Sequence, residues 1–362
     1  MITLVRKLTR ARHGSTDAQP PGSHLLPQAQ QVGSLNAAEG ALLGACIGDA
    51  AGAPLEFPRL EHVGPDKVAA ALQMRGGGTY EPVGPGQGTD DTELTLSLGQ
   101  ALRAAAPPFL PLESIARAYC SWRATSALDV GNTCAKAFVV GTQVLHEGWA
   151  GACRHAAVKH NMESESNDCL NRVTPLAIWS WRQDYDLIAA FCKQEALLSH
   201  PNAVVQGCSA AYCIAIAHLI RYPGCREGAL HAAVSWAQDQ DCKVIGEWLD
   251  AAQDLTYWPT VAWHAGWVKW GFLYAFRHLY LASSFQECME DILSRGGDTD
   301  TNAAIVGGLV GCLHGASEIP GFLKDPVLQR CADSPGKQVP AHLCANKIPQ
   351  LARQLLELGK RT

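Results

Sequence analysis

The sequence predicts one compact, nearly all-α domain, and three observations lead to that prediction. Apolar residues recur at helical spacing through most of the chain, alternation of apolar and polar residues is scarce, and proline and glycine clusters separate the periodic segments. Because 47% of the 362 residues are hydrophobic, the chain can bury a large core. We therefore expect a single domain built from many helices.

Residues 1–35 differ in composition from the rest. Basic residues come early, at Arg6, Lys7, Arg10 and Arg12, and the stretch STDAQPPGSHLLPQAQQ follows. Because such a segment supplies little core, we predict a flexible N-terminal extension over residues 1–35 and a folded domain over residues 36–362. A docking arm and an organelle-targeting peptide are the functional alternatives to a disordered tail.

The first helix is predicted to begin at Asn36, because Asn36-x-x-Glu39 resembles a capping box and apolar residues follow at helical spacing. The same periodicity recurs along the chain. The further predicted helices read, in order, TELTLSLGQALRAAA, PLESIARAYCSWRA, DLIAAFCKQEALLS, AVVQGCSAAYCIAIAHLI, CREGALHAAVSWAQ, WVKWGFLYAFRHLYLA, SFQECMEDILSR and TNAAIVGGLVGCLHGA.

Glycines crowd the first and the last of these helical segments. One carries Gly40, Gly44, Gly48 and Gly52, and the other carries glycines from Gly307 to Gly315. Glycine inside a helix costs about 0.5 to 1 kcal/mol relative to alanine, so a stripe of it needs a compensating gain. We expect close backbone packing of both helices against their neighbours.

Charge and composition argue against several classes of protein. The net charge of -5 lacks the basic excess of a nucleic-acid binder. No apolar run is expected to span the roughly 20 residues of a membrane helix, and the first residues lack the apolar centre of a secretory signal. The fourteen cysteines form no Cys-x-x-Cys pair, and seven of them lie in apolar helical patterns. We expect a reduced, cytoplasmic protein with no nucleic-acid or membrane partner.

Two short acidic segments carry the chemistry. Residues 88–92 read GTDDT and residues 296–301 read GGDTDT, each immediately before a helical pattern. Thr89 and Thr299 could simply cap helices, with the aspartates facing the positive ends of the helix dipoles. That alternative explains one or two carboxylates but not both clusters. An all-oxygen set from Thr89, Asp90 and Asp91 and from Asp298, Asp300 and Thr301 would instead suit two Mg²⁺ or Mn²⁺ ions.

The order of several motifs resembles the ADP-ribosylglycohydrolase family over residues 36–318. The motifs are GALLGACIGDAAGAPLEF, GQGTDDTELTLSLGQAL, DVGNT, NDCLNRVTPLAIW, SHPNAVV and SRGGDTDTNAAIVGGLVGCLHG. The resemblance implies an orthogonal all-α bundle around a binuclear magnesium or manganese site. It also implies hydrolysis of the bond between ADP-ribose and a modified protein or small acceptor.

The same resemblance implies roles for individual residues. Thr89, Asp90, Asp91, Asp298, Asp300 and Thr301 match the metal ligands, with Glu93 behind them. Glu56 and Asp129 match catalytic carboxylates, whose acid and base roles the sequence does not divide. Asn167, Cys169 and His200 match substrate-binding positions. The loop departs from the family pattern in having Asp168 where glycine is usual and Asn171 where an apolar residue is usual.

We expect a hydrolase that removes ADP-ribose from arginine in modified proteins, because Asp129 matches the position found in arginine-directed relatives. Three alternatives stay open. The chain could act on serine-linked ADP-ribose or on another phosphate or nucleotide ester. It could also be an immunity protein that binds an ADP-ribosylating toxin through its N-terminal extension.

Overall fold

The computed structural model describes residues 33–56, 62–78, 83–125, 129–138, 144–240, 242–261 and 263–361. Sixteen α-helices lie in these ranges, together with three short 3₁₀ segments. Within the described residues, extended pairing is limited to two isolated bridges, between Gly77 and Val83 and between Ser166 and Trp267. The predicted all-α class is confirmed. Most of the extension predicted over residues 1–35 lies outside the described residues, so that prediction stands as made.

In chain order the helices are α1 (Leu35–Gly52), α2 (Pro65–Ala71), α3 (Asp90–Leu102), α4 (Leu112–Arg123), α5 (Asn132–Ala137), α6 (Val144–His160), α7 (Thr174–Trp179), α8 (Tyr185–Ala196), α9 (Ala203–Arg221), α10 (Arg226–Asp239), α11 (Lys243–Gln253), α12 (Val268–Leu281), α13 (Phe285–Ser294), α14 (Thr299–His314), α15 (Gly321–Leu328) and α16 (Ile348–Gly359). A 3₁₀ turn at Ala53–Leu55 continues α1.

The two glycine-rich helices, α1 and α14, make the most extensive helix pair of the described structure. A methyl group on Gly44 would overlap the carbonyl oxygen of Gly307, and one on Gly307 would overlap that of Gly44. Gly40 and Gly311 exclude each other's side chains in the same way. The glycines therefore permit backbone-to-backbone contact, which brings the C-terminal end of α1 against the N-terminal end of α14.

The start of α1 differs from the prediction in its capping residue. Ser34 is the N-cap, and its hydroxyl accepts a 3.1 Å hydrogen bond from the amide of Ala37. Asn36 instead uses both ends of its side-chain amide to hold Ser317, after α14, with bonds of 3.0 and 2.9 Å. The predicted capping box is wrong because a distant chain segment takes the asparagine.

The helix α9 is long and apolar enough, by length and composition, to cross a membrane. The expectation that no segment meets this criterion is therefore wrong. Most of α9 is buried by the helices around it, as is usual for the central helix of a large core. All fourteen cysteines are free, and the seven assigned to apolar helices are buried as predicted.

Candidate metal and catalytic site

The two acidic segments meet at one place in the fold. Asp300 belongs to two groups of three acidic residues. Within each group, the carboxylate oxygens that could bind an ion all lie within 4.8 Å of one another. One group contains Asp49 and Asp91, and the other contains Glu56 and Asp298. The close packing of α1 on α14 thus joins carboxylates that lie far apart in the sequence into a single cluster.

Burial and mutual repulsion make this cluster unfavourable without a cation. Burial holds the pKa of Asp91 well above its ordinary value, and the charges of Asp49 and Asp90 add to the shift. Burial also raises the pKa of Asp300 far above its usual range, and the charge of Glu56 raises it further. Carboxylates crowded in this way stay ionised when positive charge lies among them.

The residues fit a hard divalent cation. The Oδ2 atom of Asp91 is buried and has no hydrogen-bond partner in the described structure. A buried carboxylate oxygen without a partner is costly unless a ligand satisfies it. Since the surrounding donors are carboxylate and hydroxyl oxygens, the cluster could bind an ion of the magnesium, manganese or calcium type.

The predicted ligands differ in their present contacts. Thr89 is buried and donates its hydroxyl to Asp49 over 3.0 Å. Asp90 accepts a 3.2 Å bond from the amide of Gly131. Asp300 accepts a 2.8 Å bond from the amide of the buried Thr301. All therefore lie at or beside the cluster.

Neither Thr89 nor Thr299 caps a helix through its side chain. The alternative in which these threonines act only as helix caps is therefore wrong. Thr89 occupies the N-cap position of α3 but makes no capping bond. The N-cap of α14 is Asp298, and Thr299 donates its hydroxyl to the carbonyl of Gly52 over 2.8 Å. This last bond ties the start of α14 to the end of α1.

Asp49 is a residue of this site that the sequence analysis missed. It is fully buried, and its carboxylate accepts hydrogen bonds from the amide and hydroxyl of Thr89 and of Thr92. A signal was available, because Asp49 is the only charged residue between residues 40 and 55 of a glycine-rich, apolar helix.

The two predicted catalytic carboxylates occupy different environments. Glu56 is half-buried within the cluster, where burial, followed by the charges of Asp298 and Asp129, raises its pKa to about 8. Asp129 is exposed, and its Oδ1 accepts a 2.6 Å bond from the amide of Val130. Asp129 does not cap α5, whose N-cap is Gly131. Glu56 thus lies inside the acidic site and Asp129 at its solvent edge.

The loop before α7 contacts the cluster through its asparagines. Asn167 donates a 3.0 Å bond to Oδ2 of Asp298, and its own buried Oδ1 has no partner in the described structure. Asn171, the unusual residue of this loop, donates its amide to Oδ1 of Asp91. That contact was not foreseen, and it leaves Oδ2 as the free oxygen of Asp91.

The acidic residue of the loop, Asp168, faces the cluster. Its carboxylate lies against Gly131, and burial and the charge of Asp298 raise its pKa to about 6. Glu93 turns elsewhere and accepts a 2.6 Å bond from the indole of Trp122. Asp168 thus adds negative charge to the edge of the site.

The other two predicted substrate-binding side chains are buried. The thiol of Cys169 faces Ser209 in the core, 3.4 Å away. His200 is fully buried and contacts Ser199 and Ser166. The thiol of Cys169 therefore does not contribute to an exposed binding surface, and the ring of His200 contacts the loop through Ser166.

A cavity of about 560 Å³ opens beside this loop. Gly266, which lines this cavity, also borders the acidic cluster. A methyl group added at Gly266 would lie 3.2 Å from Oδ2 of Asp298. The cavity is lined by Glu163, Glu165, Ser166, His264, Ala265, Gly266 and Trp267. Its volume is in the range of small-molecule sites in proteins.

Comparison with known proteins gives a consistent result. A family sequence model described as ADP-ribosylglycohydrolase matches residues 31–362. ADP-ribosyl-[dinitrogen reductase] glycohydrolase from Rhodospirillum rubrum is 26% identical over 288 residues, which cover 78% of this chain and 86% of that protein. ADP-ribosylarginine hydrolase Tri1 from Serratia proteamaculans (strain 568) is 27% identical over 324 residues, covering 84% and 78%.

The fold also resembles a solved structure. A chain of an "ADP-ribosylglycohydrolase-related protein complex" superposes with a TM-score of 0.66 and 20% sequence identity. The match covers 90% of this chain and 98% of that one. At this identity the similarity supports the fold and carries no information on substrate.

Proposed function

Because the chain belongs to the ADP-ribosylglycohydrolase family, we propose that it is a metal-dependent hydrolase that removes ADP-ribose from arginine residues of modified proteins. The observation that carries the proposal is the single cluster formed by Asp91, Asp298 and Asp300, with one buried carboxylate oxygen left for a ligand. The names of the relatives from R. rubrum and S. proteamaculans support the reaction class.

We propose two Mg²⁺ or Mn²⁺ ions as the cofactors. Divalent ions supply positive charge that orients ribose oxygens and acidifies water. Asp91 has a free buried oxygen, and Asp300 offers a carboxylate oxygen to both groups of the cluster. Asn167 and Asn171 hold the carboxylates of Asp298 and Asp91 in place. The residues that would hold the ions are Thr89, Asp90, Asp91, Asp298, Asp300 and Thr301.

The carboxylates of Glu56 and Asp129 account for the proton transfers. Water attacks the anomeric carbon of ribose as the bond to the acceptor nitrogen breaks, and positive charge develops on the sugar ring. A carboxylate beside that ring stabilises the charge, and a carboxyl group takes the proton of water or returns one to the leaving group. Glu56 lies in the cluster and Asp129 at its edge, so together they flank the substrate.

The charge at the mouth of the site supports the proposed arginine linkage. A guanidinium group presents planar donors and positive charge, which a carboxylate binds through paired hydrogen bonds. Asp129 is exposed there, and Asp168 lies beside it across Gly131. A serine linkage offers neither positive charge nor paired donors.

The test compares turnover of matched peptides that carry ADP-ribose on arginine or on serine, with Mg²⁺ present. We expect faster release of ADP-ribose from arginine. Faster release from serine would contradict the linkage, and no release from either would contradict the hydrolase assignment itself.

We propose separately that residues 1–35 bind a partner such as an ADP-ribosylating toxin. The support is the length and composition of this segment, which is basic at its start and then rich in proline and glutamine. Deleting residues 1–33 should leave the fold and hydrolysis nearly unchanged and weaken any complex with the partner. An inactive or insoluble truncated protein would show that the segment is structural.

A further inference from the structure

One side of α12 contacts the segment that joins α11 to α12. This connecting segment spans residues 254–267, of which the structure describes 254–261 and 263–267. Trp270, Tyr274 and Arg277 follow one another at spacings of four and three residues, so their side chains lie on the same side of the helix. All three are buried, and each donates hydrogen bonds to backbone carbonyls in or next to the connecting segment.

Arg277 binds the carbonyls at the end of α11. Its Nε donates to the carbonyl of Ala252 over 3.0 Å, and its Nη2 donates to those of Ala251 and Asp254 over 2.6 and 2.9 Å. Its Nη1 donates to the carbonyl of Tyr257 over 2.6 Å. The last carbonyls of a helix have no partner within that helix. Arg277 therefore fixes both the end of α11 and the first residues that follow it.

The other two side chains bind the connecting segment further along. The hydroxyl of Tyr274 donates a 2.7 Å hydrogen bond to the carbonyl of Pro259. The indole of Trp270 donates a 3.1 Å bond to the carbonyl of Trp263. Because buried carbonyls need a donor, these bonds favour one course of the backbone over others. The side of α12 that carries the three residues thus holds the connecting segment from its start as far as Trp263.

The last residues of the connecting segment, 264–267, form one wall of the cavity of about 560 Å³. His264 has a φ of +56°, in the left-handed region that residues other than glycine rarely adopt. Such a conformation persists only where the surrounding structure holds it. Trp270 binds the carbonyl just before His264, and its ring packs edge-to-face on that of Trp267 with 5.2 Å between centroids. The side of α12 therefore supports the cavity wall.

We propose that Trp270, Tyr274 and Arg277 are positioning residues for the substrate cavity, because they fix the segment whose last residues form one of its walls. A wall that occupies its position for only a fraction of the time binds a ligand more weakly by that fraction. The identity of the ligand, the ADP-ribosyl group, rests on the proposed function. The fixing of the connecting segment rests on the contacts alone.

The first measurement is hydrogen exchange of the full chain with Mg²⁺ and without ligand. Tyr274→Phe removes one hydroxyl and keeps the ring, and peptides from residues 254–267 should exchange faster than in the wild type. Tyr212→Phe is the matched control, because the buried Tyr212 hydroxyl also donates to a backbone carbonyl, that of Ile305, over 2.8 Å. It should leave exchange in residues 254–267 unchanged. Arg277→Lys should raise it further than Tyr274→Phe, because an ammonium group cannot replace the planar guanidinium.

The second measurement is calorimetric titration of ADP-ribose into the same proteins. Tyr274→Phe should bind about 3- to 10-fold more weakly, as expected when one hydrogen bond that holds the wall is lost, and Tyr212→Phe should bind like the wild type.

Unchanged exchange in Tyr274→Phe would overturn the positioning role. Faster exchange with wild-type affinity would overturn the link to the cavity, and equal weakening in Tyr212→Phe would show a general effect of stability. A wild type that binds no ADP-ribose would refute the proposed function, and the exchange data would still decide whether α12 fixes the connecting segment.

Discussion

The carboxylate of Asp49, in the last turn of α1, accepts a 2.9 Å hydrogen bond from the backbone amide of Thr92, in the first turn of α3. The same carboxylate accepts a hydrogen bond from the amide of Thr89. Asp49 therefore binds free backbone amides at the start of α3, as a local capping residue would otherwise do. An acidic side chain is favourable at this position because the helix dipole is positive there. The start of α3, which carries Asp90 and Asp91, is thereby fixed by another helix.

Replacing Asp49 should therefore destabilise the protein. Asp49→Ala leaves the donors of Thr89 and Thr92 without their acceptor, and we expect a loss of about 2 to 3 kcal/mol in the free energy of unfolding. Asp49→Asn keeps one acceptor oxygen and should lose less. Urea denaturation measures both, with the exposed Asp66→Ala as control. Equal stability of Asp49→Ala and wild type would show that the contact contributes nothing.

The contact between α1 and α14 gives a second prediction. Gly44→Ala should cost about 1 to 3 kcal/mol or more, because its methyl group overlaps the backbone of Gly307 and the helices must separate. Gly246→Ala is the matched control, since Gly246 lies in α11 with no atom near its missing side chain. It should stabilise the protein by up to about 1 kcal/mol. A Gly44→Ala variant as stable as Gly246→Ala would contradict the close packing.

Activity should require a divalent cation. Chelation should abolish hydrolysis and lower the melting temperature, because the clustered carboxylates then repel one another, and added Mg²⁺ or Mn²⁺ should restore both. Asp298→Ala and Asp90→Ala should be inactive, whereas Asp66→Ala should retain activity. Full activity after exhaustive chelation would rule out the metal mechanism.

Asp129 should determine the linkage. Asp129→Ala should lose most of its activity on ADP-ribosyl-arginine and still bind free ADP-ribose, because in the proposed mechanism the carboxylate binds the leaving group and not the sugar. Single-turnover rates and calorimetric titration measure the two properties separately. Asp239→Ala, an exposed aspartate at the end of α10, is the control. Wild-type turnover in Asp129→Ala would refute the assigned role.

His218 should contribute a loss of stability between neutral and mildly acidic pH, opposite in sign to the acidic cluster, whose raised carboxyl pKa values favour the folded state as pH falls. This histidine is buried, its Nε2 has no hydrogen-bond partner in the described structure, and burial and the charge of Arg221 lower its pKa to about 4. The unfolded chain has the ordinary pKa of about 6.5, so between these values the unfolded state binds more protons and acid favours unfolding. From pH 7 to pH 5 the contribution of His218 alone should be a loss of about 2 kcal/mol.

The measurement is urea denaturation at pH 7 and pH 5. His218→Gln should lose less stability between the two pH values than the wild type does, whereas His62→Gln, at an exposed position, should show the wild-type dependence. An identical pH dependence in His218→Gln and wild type would exclude this histidine as the cause.

Much of the fold could be predicted because its signals are local. The helical spacing of apolar residues predicts nine of the sixteen helices of the described structure, and the glycine stripes of α1 and α14 predict their close approach. The N-cap of α1 at Ser34 could not be predicted from local signals, because the local sequence favours Asn36 as the capping residue. In the structure, the Asn36 side chain hydrogen-bonds to Ser317 instead. The burial of α9 likewise depends on the helices around it.

By itself, the sequence determined the all-α class, the two acidic segments and the positions that resemble a family site. Each of these depends on residue types at short spacing, which the chain carries before it folds. Only the tertiary structure decided that Asp49 holds the start of α3, that Asn171 holds Asp91, and that His200 contacts Ser166 from a buried position. These relationships join residues from separate helices and loops, and hydrogen bonds at such distances in the chain exist only after the core has packed.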